Sequence, residues 1–94
     1  MTVGEDFDEL KSIIESLIFA SPDPVSLKVI VKTIDSEPPE HVEEALASVC
    51  QEWKERSGGL QLVEVAGGYQ IVTKPELHEW VRRLFHEHSK QRLS

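Results

Sequence analysis

The sequence is short of several things, and each shortage excludes something. Cys50 is the only cysteine, so no disulfide can close within the chain, which suits a reducing, cytoplasmic setting. No apolar run reaches the ~18 residues that a membrane-crossing helix needs, so no membrane span is expected. Basic charge is scarce, with 10 Lys and Arg against 17 Asp and Glu and a net charge of −7. Affinity for duplex DNA comes largely from basic side chains that neutralise phosphates. The balance therefore argues against a general DNA binder and suits a solubilised protein-binding module. No glycine-rich phosphate loop is present, because Gly58-Gly59 and Gly67-Gly68 read as a helix stop and a hairpin turn. The opening MTVGEDFDE is acidic and lacks the basic stretch of a secretory signal.

What is present is periodicity. Ninety-four residues, 39% of them apolar, support one small domain. Residues 1–6 form a polar lead, expected to be flexible. Phe7, Leu10, Ile13, Ile14, Leu17 and Ile18 then fall at helical spacing on one face. Pro22 and Pro24 stop that helix near Ala20. Ser26 is a natural cap for a second, short helix. That helix is apolar nearly all round (Leu27, Val29, Ile30, Val31, Ile34) and is expected to be largely buried. Pro39 suits the first position of a third helix. Its stripe is Val42, Ala45, Leu46, Val49 and Trp53, and it runs to about Arg56. Two strands follow, Leu60–Ala66 and Tyr69 to Thr73 or Lys74, around a Gly67-Gly68 turn. Pro75 opens a fourth helix with Leu77, Trp80, Val81, Leu84 and Phe85 on its apolar face. Residues 89–94 are polar and expected to form a flexible tail.

The order is three helices, a two-stranded antiparallel hairpin and a C-terminal helix. That is an α+β, mostly helical chain with the plan of a winged helix-turn-helix domain over residues 7–88. An isolated hairpin is marginal in water, so this one must pack on the first and third helices.

In a winged helix that reads DNA, the third helix enters the major groove and offers Arg, Lys, Asn or Gln to base edges. Here it offers Glu40, Glu43, Glu44, Glu52 and Glu55, opposed by Lys54 and Arg56 at its C-terminal end and, when protonated, by His41. The wing tip, AGGYQ, has no basic residue. The one basic cluster is Arg82, Arg83, Lys90 and Arg92; Arg82 and Arg83 are the weak candidates for a nucleic-acid contact. The competing reading is a solvated face paired with Glu79 and Glu87 at helical spacing.

The four histidines form no ligand set. His78-Glu79 opens like a zinc-protease motif, but no second histidine follows at the required spacing. Cys50 reads as a small residue at the core boundary. Nothing suggests a catalytic group, a metal or a cofactor, and the chain is not expected to be an enzyme. Trp53, Tyr69, Trp80 and Phe85 carry much of the large apolar surface. Core packing is the expected role for most of them, with one or two left as anchors for a partner. So small a domain cannot enclose every apolar residue on these faces.

Several segments together resemble the N-terminal winged-helix domain of the segregation and condensation protein B (ScpB) family. They are LKSIIESLIFASPDPVSL, PPEHVEEALASVCQEW and GLQLVEVAGGYQIVTKPELHEWVRRLF, running from Leu10 to Phe85. The most specific are Leu17–Ser26 and Leu62–Glu76. The resemblance implies a non-enzymatic subunit of the bacterial condensin-like complex, located in the cytoplasm at the nucleoid. Such subunits bind the kleisin ScpA, which bridges the heads of the SMC ATPase, and serve chromosome condensation and segregation during cell division. They usually carry two winged-helix domains and form homodimers through the first. Only the first is expected here, so self-association is expected of this chain ahead of kleisin binding. The apolar side of the first helix together with the hairpin, at Phe7, Leu10, Ile14 and Tyr69, is the candidate interface. The alternative is a winged-helix transcription regulator acting through the basic cluster.

Overall fold

The computed structural model describes residues 3–93, with side chains described for residues 7–86. The order is α1 (Val3–Ala20), α2 (Leu27–Thr33), α3 (Pro39–Glu55), β1 (Leu60–Val65), β2 (Gly68–Thr73), a 3₁₀ turn (Pro75–Leu77) and α4 (His78–Leu93). This is the winged-helix plan. α1 begins at Val3, four residues ahead of Phe7, and α4 continues to Leu93 through the polar stretch expected as a tail. That stretch contains neither proline nor glycine, so nothing in it stops a helix.

The local signals act as their chemistry demands. Ser26 is extended and its hydroxyl accepts the Val29 N–H at 3.2 Å, capping α2. Pro39 occupies the first turn of α3, where its missing N–H costs nothing. Ile14, Ile18, Ile30 and Val42 are completely enclosed where α1, α2 and α3 meet, and Leu10, Ile34, Ala45 and Leu46 complete the cluster. Each large aliphatic so enclosed contributes about 1.5–3 kcal/mol relative to exposure. α2 is less buried than its composition suggests: only Ile30 within it is enclosed, and Val29 faces solvent. A helix of 7 residues, about two turns, has too little length to be covered on every side.

The hairpin lies with β2 against α1 and β1 against α3. Its turn sits one residue earlier than the sequence expectation, so each cross-strand partner shifts by two: Tyr69 pairs with Glu64 instead of Ala66. Val65 pairs with Gly68, so the two turn residues are Ala66 and Gly67. Both have positive φ, 51° and 76°, as a turn matched to the strand twist requires. Gly68 serves a different need. A Cβ there would lie 2.9 Å from the Pro24 carbonyl carbon and 3.0 Å from that of Val25. The adjacent residues Val25 and Tyr69 exchange both backbone hydrogen bonds, at 2.9 and 2.8 Å. The loop between α1 and α2 thus acts as a one-residue third strand that fixes the wing to the helical body.

α4 stands apart from this arrangement. Its principal packing partner is the 3₁₀ turn that precedes it, and the molecule is 53 Å long by 26 Å in both other directions.

Candidate functional site

Three surfaces are available for function. The first is the outer face of α3. Glu40, Glu43, Glu44, Glu52 and Glu55 are all exposed on it, as are Lys54 and Arg56 near its C-terminal end. Where α3 meets α1, a polar clasp forms. The Trp53 indole N–H donates to Glu15 at 2.8 Å while its ring is buried. The Arg56 guanidinium stacks 4.2 Å over that ring. Lys11 bridges Glu52 and Asp8 beside a shallow polar depression. The hydrogen bond to Glu52 holds the Lys11 ammonium above its usual pKa. Base edges would meet carboxylates on this face, so its electrostatics disfavour DNA.

The second surface is the wing. Val65, Ala66 and Gly67 are exposed at its tip and carry no charge. Behind the tip Tyr69 is half-buried against the core; burial first, and then the Glu64 carboxylate, raises its phenol pKa. The Cys50 thiol is raised by the same two causes in the same order.

The third surface is α4. Trp80, Leu84 and Phe85 are 63, 56 and 63% exposed, and Val81 and Leu77 flank them half-buried. Positions 77, 80, 81, 84 and 85 share one helical face, so these side chains form a continuous apolar strip. Arg83 donates to Glu79 and stacks 4.6 Å over the Trp80 ring. Arg82 is exposed beside it, with His86 on the same shallow surface.

The model of the family described as "Segregation and condensation complex subunit ScpB" matches residues 12–94. The chain belongs to this family. The ScpB relative from Syntrophotalea carbinolica is 46% identical over 89 residues; the match covers 95% of this chain and 44% of that protein. The chain thus spans less than half the length of that ScpB protein. Among solved structures, Mycobacterium tuberculosis ScpB superposes with a TM-score of 0.75 at 23% identity, covering 88% of this chain and 51% of that one. A dimer of the ScpB N-terminal domain complexed with an ScpA peptide gives a TM-score of 0.72 at 26% identity. That match covers 84% of this chain and 98% of the solved chain.

The residues read from sequence as an interface fall into two groups. Leu10 and Ile14 are only 6% and 0% exposed and belong to the core. A partner cannot reach Ile14 while the domain is folded, which corrects the assignment of α1's apolar side as an open face. Phe7 and Tyr69 are half-buried and pack against the same core, with the Lys11 ammonium 5.5 Å from the Phe7 ring centre. Arg82 and Arg83 are exposed as expected. Sequence reasoning placed Trp80, Leu84 and Phe85 on one apolar face and held Trp80 and Phe85 among the possible anchors, but could not single them out, because a face covered by a partner has the same periodicity as one covered by the chain's own core. The available signals were the aromatic side chains themselves and the excess of apolar residues over what so small a domain can enclose. Among the described residues, no group of His, Cys, Asp and Glu is arranged to hold a metal, and no helix is long and apolar enough to cross a membrane.

Proposed function

We propose that this chain is a non-enzymatic adaptor piece of a bacterial SMC–kleisin complex. It acts at the nucleoid in chromosome condensation and segregation, through self-association and binding of the ScpA kleisin. The observation that carries the reading is a winged-helix domain of the ScpB family whose third helix presents Glu40, Glu43 and Glu44 where a DNA reader needs donors. The solved ScpB N-terminal domain is a dimer holding an ScpA peptide, which supports both contacts for a chain that matches nearly all of it. Such a domain gives protein partners a rigid surface, and its acidity keeps it off the phosphate backbone.

The test uses two anisotropy titrations, one with a labelled DNA duplex and one with a labelled ScpA kleisin peptide. Each is run at low and near-physiological salt. Peptide binding at both salts, with DNA bound at neither or only at low salt, is expected. Low-salt DNA binding alone would be a non-specific contact through Arg82 and Arg83. Tight, sequence-dependent DNA binding at physiological salt overturns the reading in favour of a transcription regulator.

A further inference from the structure

We propose that the apolar strip of α4, centred on Trp80, Leu84 and Phe85, is the surface through which two copies of this chain pair. The inference rests on the self-association argued above and names the face that performs it.

Three observations lead to α4. First, the solved dimer is built from an N-terminal domain of which 98% is covered by the match to this chain. A second copy therefore finds its docking surface within the domain itself, not on a further domain. Second, the core takes up the other long apolar stripes. α1 and α3 enclose Leu10, Ile14, Ile18, Val42, Leu46 and Val49. Exposed large apolar side chains elsewhere are scattered: Ile13 and Phe19 on α1, Val29 on α2, and Leu60 and Val65 at opposite ends of β1. Among the described residues, only α4 groups three large ones within two turns of helix.

Third, the size and chemistry suit a pair of like surfaces. Trp80, Leu84 and Phe85 expose on the order of 300–400 Å² of apolar surface, as much as the largest patch on a typical monomer. A stable interface buries about 800 Å² on each partner. The strip supplies the apolar centre of such an interface, and its flanks supply the rest. Aromatic anchors at the centre with charge at the rim is the usual anatomy of a contact hot spot. The rim here carries both signs, Glu79 with Arg82 and Arg83. A two-fold pair places the same patch against itself. A strip whose centre is apolar and whose rim carries opposite charges can satisfy both requirements at once. α4 packs mainly on the 3₁₀ turn before it, so a second copy can approach without disturbing the core.

The test is sedimentation equilibrium of the 94-residue chain, with three variants alongside. Trp80→Glu/Phe85→Glu places two charges in the strip. Phe19→Glu places one charge on an exposed apolar residue away from α4. Leu84→Cys, in a Cys50→Ser background, is treated with a short bis-maleimide. Circular dichroism checks that each variant is folded. The wild-type chain and Phe19→Glu are expected to be dimers. The double variant is expected to be a folded monomer, its dissociation constant raised by roughly a hundredfold or more. Leu84→Cys is expected to crosslink into dimers, a readout that survives even if the double variant is poorly folded. A double variant that remains dimeric, or Leu84→Cys that does not crosslink while the chain is dimeric, overturns α4 as the face and leaves self-association standing. A wild-type chain that is monomeric at every concentration overturns self-association itself.

Discussion

The three-helix body with its hairpin and the α4 arm are written in the same sequence pattern, yet they end in opposite environments. α1 and α3 turn their apolar stripes toward each other and close over Ile14 and Val42. α4 has an apolar face of the same kind and holds it in solvent at Trp80, Leu84 and Phe85. The difference is one of geometry. α1 and α3 pack on each other, are linked through a short α2, and are covered by the hairpin, with β2 on α1 and β1 on α3. α4 leaves the hairpin through Pro75 and the 3₁₀ turn, on a path that carries it off the body. A helix's periodicity says that one face will be buried; it does not say against what.

Four substitutions or conditions would break or sharpen this contrast, and the largest effect belongs to the body. Ile14→Ala removes buried methyl groups from the centre of the core and should cost about 3 kcal/mol in urea unfolding. A loss below about 1 kcal/mol would mean that the body is loosely packed. Next is the joint between wing and body. Gly68→Ala forces a methyl group against the Pro24 and Val25 backbone and should cost about 1–3 kcal/mol. The Val25 and Tyr69 amides should lose protection from hydrogen exchange ahead of the α1 amides. Equal loss across both would mean that the wing has no separate joint.

Smaller again is the alkaline limb of stability. Cys50 and Tyr69, both in the body, have pKa values raised in the fold, chiefly by burial. For an acid whose pKa is raised on folding, the contribution is complete below the unfolded value and lost as pH climbs through the folded one. Melting temperature should therefore hold across neutral pH and decline past the ordinary values of 9.0 for the thiol and 10.0 for the phenol. Cys50→Ser should delay the onset. A decline that starts below pH 8 would point to other groups. The smallest effect belongs to the arm. Trp80→Ser, measured in protein dilute enough to be monomeric, should change stability by less than about 0.5 kcal/mol. A loss of several kcal/mol would mean that α4 folds back onto the body.

The sequence made the architecture legible because its local signals agree with one another. Pro22 and Pro24, Ser26, Pro39, the paired glycines and Pro75 each mark a boundary that the structure honours to within a few residues. The hairpin turn slipped by one residue, and the pairing by two, because two adjacent glycines offered two turn positions. The choice between them depends on Pro24, more than forty residues away, which no local pattern reveals. The same limit applied at Leu10 and Ile14. Their spacing identified an apolar face correctly, and only three-dimensional packing shows that α2 and α3 already occupy it. The acidic character of α3's outer face was fully readable, because surface charge depends on helix phase alone.

The contrast between body and arm also fixes how the molecule would report on itself optically. It has two tryptophans. Trp53 is enclosed, with its N–H held by Glu15, and Trp80 is open to water under Arg83. An ionic quencher added to the native chain would reach Trp80 and leave Trp53 bright, whereas unfolding would redden the emission of Trp53. Any partner that covers α4 would shield Trp80 without altering Trp53. A single unlabelled sample thus carries one lamp for the integrity of the fold and another for the occupancy of the arm.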